Sequence, residues 1–209
     1  METKIRAIQV GTTNEIDLKA TRDGELRVTQ YLPAYANLVA AGKVFGFESS
    51  AGTAKGPVTA VPTTTATWSL YNASTTAHIV ILRVAFAAVS GTMGLGAAIV
   101  GTVAIGNQTA EVAKYTSSVV GCLDGTAKTP DAFFANATTL VGTQSPWIFL
   151  AARDMLAVVA VGAGLVADVD GLMVVPPKGC AGFDILAPAG TSALFDCSII
   201  AAQLVLDTA

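Results

Sequence analysis

The sequence predicts an all-β protein: a β-sandwich of jelly-roll type, with an N-terminal β-hairpin arm and one or two short helices. Three observations carry that expectation. His78 to Val89 is an almost unbroken run rich in Val, Ile and Phe, bounded by the turn-like Asn72–Thr76 and Ser90–Thr92; such a run reads as a strand covered on both faces. Short apolar runs of the same kind recur along the 209 residues, separated by Gly and Pro, which is the texture of a sandwich or barrel. Finally, 52% of the residues are hydrophobic and only 13% charged, where soluble domains carry roughly 25% charged residues. So little charge leaves neutral or apolar surface, and contiguous surface of that kind meets another protein or a membrane.

The first thirty residues differ from the rest, holding 10 of the chain's 27 charged residues. Glu15–Ala20 alternates polar and apolar residues, as does Leu26–Thr29. A three-residue loop, Arg22-Asp23-Gly24, puts Ala20 opposite Leu26 and Leu18 opposite Val28, so that one face is apolar. Gly24 then takes the left-handed position that closes the turn. The expected arm therefore rests on Ile16, Leu18, Gly24, Leu26 and Val28, the candidate interaction residues. An isolated hairpin is marginal in water and must lie on something.

Residues 31–59 read as a connecting segment. Pro33 near a start and Gly42 as a stop predict a short helix, and Gly52 to Thr67, with Pro57 and Pro62, predicts a surface loop entering an edge strand. Residues 60–209 read as the sandwich body. Thr63 to Tyr71 alternates with Trp68 and Leu70 on one face. In His78–Val89 the faces are Val80, Leu82, Val84 and Phe86 against Ile79, Ile81, Arg83, Ala85 and Ala87. Leu95 to Ile105 predicts a strand broken at Gly101, and Glu111 to Val120 fits a helical turn or a strand equally. Thr129-Pro130-Asp131 has the order of a helix start. Trp147–Leu150 and Met155–Val161 read as strands around an Arg153-Asp154 turn. Ala167 to Val175 reads as a tight turn feeding a strand that Pro176-Pro177 ends, and Phe183–Leu186 and Leu194–Leu206 supply the last strands.

The inventory of reactive groups is thin. His78 is the single histidine, which excludes His-cluster metal sites, and a strand-end histidine with a hydrogen-bond partner is the expected role. No nucleophile elbow or zinc-protease signature occurs, so no catalytic residue, cofactor-binding residue or metal ligand is assigned and no cofactor is expected. Gly162-Ala-Gly164-Leu-Val-Ala167 matches a dinucleotide fingerprint, but that motif needs a helix where Asp168-Val-Asp170-Gly171 predicts a turn. The two aspartates begin like a calcium loop, yet the glycine comes too early and no glutamate follows at the bidentate position. Cys122, Cys180 and Cys197 read as buried free thiols, with a Cys180–Cys197 bridge left open. Trp68, Trp147, Phe133 and Phe134 read as core ahead of a carbohydrate platform. Asn72, Asn107 and Asn136 open glycosylation sequons, read as chance and as pointers to turn or surface positions. A net charge of −3 without a basic cluster argues against nucleic acid. Residues 84–110 are uncharged over 27 positions, long enough to cross a bilayer, but their glycines and threonines fit strand-turn-strand better. The first residues lack an apolar leader, so folding in a cytoplasm is expected.

Several phrases together resemble structural proteins of tailed-bacteriophage virions. They are the charged arm ending in Gly24-Glu-Leu-Arg-Val, the Leu32-Pro-Ala-Tyr and Ala40-Ala-Gly-Lys-Val-Phe segments, and Ser69-Leu-Tyr-Asn-Ala-Ser. The Val80-Ile-Leu-Arg-Val strand, Val89-Ser-Gly-Thr-Met-Gly and the Val175-Pro-Pro-Lys-Gly turn complete the set. The resemblance implies a non-enzymatic β-sandwich that coats or cements a capsid lattice, with a neck, tail or receptor-binding protein as the alternative; the uncharged stretch 84–110 leaves a membrane-associated protein as the lesser one. It also implies a dimer or trimer whose partners are its own copies and the major capsid protein or another virion protein, located in the virion after assembly in the host cytoplasm.

Overall fold

The computed structural model of the chain describes residues 6–8, 15–17, 35–49, 54–92, 96–105, 119–140, 142–154, 164–188 and 190–206. They divide into two compact units, 1–36 and 37–209.

In the first unit, β1 (Arg6–Ile8) pairs antiparallel with β2 (Glu15–Asp17), Ala7 opposite Ile16. The strand expected at Glu15 is present, and its described partner lies upstream, a pairing the sequence did not suggest. The expected turn at Arg22–Gly24 and the residues Leu18, Leu26 and Val28 lie outside the described residues.

The second unit opens with the expected helix, α1 (Ala36–Ala40), whose first residue belongs to the preceding unit. Its end is a Schellman cap: the N–H of Lys43 bonds the carbonyl of Leu38 and that of Gly42 bonds the carbonyl of Val39. Gly42 sits at φ +65°, a conformation that costs a residue with a Cβ. Then follow β3 (Val44–Glu48), β4 (Thr65–Asn72), β5 (His78–Ser90), β6 (Ala97–Ile105), β7 (Val119–Cys122) and β8 (Ala132–Thr139). The chain continues through β9 (Thr143–Gln144), β10 (Ile148–Arg153), β11 (Gly164–Val175), β12 (Cys180–Leu186) and β13 (Leu194–Leu204). The segment read as connecting thus supplies β3 to the body.

Two antiparallel sheets pack face to face, the predicted β-sandwich. One runs β10-β6-β12-β4-β8, with β9 also on β6; the other runs β11-β5-β13-β3-β7. Four pairings are nested, β3 with β13, β4 with β12, β5 with β11 and β6 with β10. Because β4, β5 and β6 fall alternately in the two sheets, this is one long hairpin rolled around the core, the winding of a jelly roll. Residues 54–58 tie the sheets together: Lys55 bridges to Phe195 of one and Val58 to Leu186 of the other. Between the sheets lie Trp68, Phe86, Phe183, Phe195 and Ile199, all buried. Trp68 and Phe86 meet edge-to-face with centroids 4.9 Å apart, a contact worth about 0.5–1.5 kcal/mol beyond area burial.

The central run His78–Val89 is β5, but one of its faces looks outward and its alternation slips. Its thirteen residues pair with the eleven of β13, Leu82 and Val89 being extra. The bulge at Leu82 shifts the inward set from Ile79 and Ile81 to Val84, Phe86 and Ala88. The expected Val80–Leu82–Val84–Phe86 face is therefore not one face.

Other expectations are corrected as well. β4 is not an edge strand; it lies between β12 and β8. β6 runs unbroken through Gly101, which pairs with Phe183 on one side and Ile148 on the other. The helix start at Thr129 is the approach to β8: Phe134 enters the core while Phe133 packs on the other face, a period of two. β10 runs past Leu150 to Arg153, the first residue of the expected turn, and the strand expected at Met155–Val161 lies outside the described residues. The turn at Asp168–Gly171 is a bulge inside β11, with Asp170 at φ +49° and Gly171 at φ +85°. No helix follows Gly164, so the dinucleotide fingerprint fails on context.

The sheet containing β12 is covered on both sides. Ala181, Phe183 and Ile185 face the core. On the other side Cys180 joins Ala66, Tyr71, Leu140 and Trp147. Leu140 and residues 142–147 lie over this outer layer, held by Leu140 N–H to Thr64 O at 2.7 Å, Ser145 N–H to Val103 O at 2.8 Å and Trp147 Nε1 to Thr63 O at 3.2 Å. The opposite sheet presents an outer face of exposed Glu48, Arg83, Ala87, Val166, Asp168 and Ser198.

Candidate functional site

Of the five arm residues proposed from the sequence, Ile16 is placed in β2, and Leu18, Gly24, Leu26 and Val28 lie outside the described residues. The surface that stands out is at the open side of the sandwich, where β6, β10 and β11 come together. A groove of about 420 Å³ is lined there by Ile105, Pro146, Ile148, Leu172, Met173 and Pro176, and none of its lining residues is charged. Leu172 is 87% exposed. The bulge places it there: the left-handed pair Asp170-Gly171 lifts Leu172 out of the strand. Phe149, the next residue on β10, is 64% exposed. β10 and β11 also end the described strand order of their sheets on this side. Strands that end a sheet's described order and carry bulky apolar groups invite another chain.

Two other depressions differ in having charged residues in their lining. One, of about 380 Å³, includes Arg153, Asp154, Thr59 and Pro188. The other, of about 240 Å³, lies on the outer face of the second sheet among Glu48, Asp196, Ser198 and Val166. Among the described residues no group of three His, Cys, Asp or Glu side chains is placed to hold a metal ion. Asp168 is engaged by Arg83, its cross-strand neighbour, with Nε–Oδ1 at 2.6 Å. The pair is exposed and contributes at most about 1 kcal/mol.

His78 begins β5 as expected, but its buried Nδ1 has no hydrogen-bond partner. All three cysteines are buried and none is in a disulfide; Cys180 and Cys197 lie in different sheets, so the bridge left open does not form. Burial, with Asp184 and Asp196 nearby, pushes the Cys197 thiol well up and away from reactivity. Trp68 and Phe134 are core residues, while Trp147 and Phe133 are partly buried against the outer layer. Asn72 is the buried last residue of β4, at neither a turn nor a surface position. Its Nδ2 donates to Ala77 O at 2.8 Å and to Pro176 O at 3.0 Å, and its Oδ1 accepts from the Ser74 N–H at 3.1 Å.

Two carboxyls are strongly perturbed, in opposite directions. Asp124 is held well below the usual carboxylate range by hydrogen bonds from Cys122 and then Thr126, with Lys128 adding a smaller attraction. Asp184 is pushed up to about 6, chiefly by burial. No helix among the described residues is long and apolar enough to cross a membrane, and the uncharged stretch 84–110 is built, where described, from β5 and β6.

The groove could not be read from sequence because its residues come from three separated strands. The nearest signal was local: Trp147–Leu150 is apolar at every position, more than one buried face of an edge strand requires. Compared with known protein families, curated proteins and solved structures, the chain matches none.

Proposed function

We propose that this chain is a non-enzymatic structural protein of a tailed-bacteriophage virion, a decoration or cement protein held on the capsid lattice through its arm and through contacts between its own copies. The observation that carries the reading is the uncharged groove beside two sheet edges, with Leu172 standing almost free of the fold. Apolar surface of that kind, in a chain with so few ionic groups, is suited to burial in repeated subunit contacts. The arm supplies the second attachment, since an extended segment adds main-chain hydrogen bonds at a neighbour's sheet edge. The partners are copies of the chain and the major capsid protein, and the location is the virion, after assembly in the host cytoplasm.

Light scattering after size exclusion, with negative-stain imaging, tests the reading. The full chain is expected to run as a dimer or trimer, and Leu172→Asp to shift it towards the monomer. A full-length protein that stays monomeric at tens of micromolar overturns the self-association. In co-sedimentation with capsid shells, the full chain is retained and a chain lacking residues 1–30 is not. Equal retention of both removes the arm from the mechanism.

A further inference from the structure

We propose that Asp184 makes the body an acid-strengthened fold: its carboxyl is neutral in the closed sandwich under mildly acidic conditions, and its ionisation towards neutral pH loosens the seam between β4 and β12. This inference is independent of the virion reading.

The geometry is that of a charge with nowhere to go. Asp184 is 0% exposed, near the end of a strand that is covered on both sides. The β4–β12 ladder ends at Phe183 opposite Trp68. At the next step the Asp184 carboxyl takes over the N–H that the ladder leaves, and Thr67 N lies 3.2 Å from each of its oxygens. Thr67, through its backbone N–H and its side chain, is the partner; no Lys, Arg or His forms an ion pair with the carboxyl among the described residues.

The groups around Asp184 do not favour its ionised form. On β4, Thr67 is neutral, and the nearest titratable group, Tyr71, stands opposite Cys180 farther along the strand. On β6, the residue opposite is Val100. On β13, Cys197 is a buried thiol whose own ionisation is opposed by burial and then by Asp184. In the segment that ties the sheets, Lys55 is bound through its backbone to Phe195. On β10, Arg153 donates to the Gly164 carbonyl at 3.3 Å. Desolvation therefore outweighs the Thr67 hydrogen bonds.

The sign follows. The folded chain holds this proton up to about pH 6, whereas a free aspartate releases it near 3.8. Folding takes up a proton between those values, so the folding equilibrium constant falls as pH rises through that window and levels off above it. The fall is up to about a hundredfold. Asparagine keeps the shape and an acceptor for Thr67 but carries no titrating proton.

Urea unfolding of the full chain and of Asp184→Asn, from pH 4 to pH 8, reads the effect. The ratio of their folding constants is expected to rise in favour of the variant by up to about a hundredfold between pH 4 and pH 7. Contributions from other carboxyls, Asp124 included, cancel in that ratio. Parallel pH profiles overturn the proposal. Carboxyl carbon NMR on the unmodified protein gives a second reading that does not depend on the variant folding. An Asp184 midpoint near 6 supports the proposal, and one near 4 overturns it.

Discussion

Ala66 Cβ stands 2.8 Å from where a side-chain carbon on Gly182 would sit, and Leu140 Cδ1 stands 2.9 Å from it. Gly182 is thus the point at which the outer layer, including Trp147, comes down onto the sheet. Gly182→Ala is expected to lower stability by about 1–3 kcal/mol through overpacking, seen as a lower urea midpoint with an unchanged slope. An unaltered midpoint would mean that the outer layer lifts off at little cost. Sequence offered no hint of this residue, since a glycine in an apolar strand says only that something approaches closely. The same limit applies to Asp184: one acid in a run of apolar residues looks like an exposed position until a second layer is seen above it. Asn72 shows the converse. The turn after it was legible, because Asn favours such sites, but the placing of Asn72 as the buried end of β4 was decided by the Val175–Pro176 carbonyls, about a hundred residues away.

At the scale of elements, strand identity was far more legible than strand register. The run His78–Val89 is a strand because its Val, Ile and Phe suit a pleated surface, and β5 spans it. Which residues face inward depends on a bulge defined only by pairing with β13, so the expected alternation failed at Leu82. β8 was misread for a related reason: Thr-Pro-Asp starts helices locally, but β4 offers a ladder from Thr65 to Asn72 that a short helix cannot satisfy. The helix at Ala36–Ala40 was legible because its stop signal is local. Gly42→Ala is expected to cost about 1–2 kcal/mol from the left-handed backbone, and Gly42→Asn, which tolerates that conformation better, less than alanine. Thermal melts of the two variants check the order; equal losses would assign the effect to crowding of Lys128 and Asp124, which lie against the site.

For the whole molecule, the alternation of strands between sheets and the nested pairing of β4 to β6 with β10 to β12 use residues from Thr65 onward. The described body pairings include no residue before Val44. Removing residues 1–30 is therefore expected to leave the body's far-ultraviolet dichroism and urea midpoint unchanged. A truncated chain that fails to fold would make the arm part of the core. What the sequence by itself determined is the class: apolar runs of strand length between Gly and Pro, with too few charges for a fully ionic surface, can only stack as sheets. What tertiary structure alone decided is which apolar residues remain outside. The Asp170-Gly171 bulge and the two sheet edges bring Ile105, Ile148 and Leu172 to one groove. Burial is a property of the neighbours a residue acquires across the chain, and no local pattern encodes those neighbours.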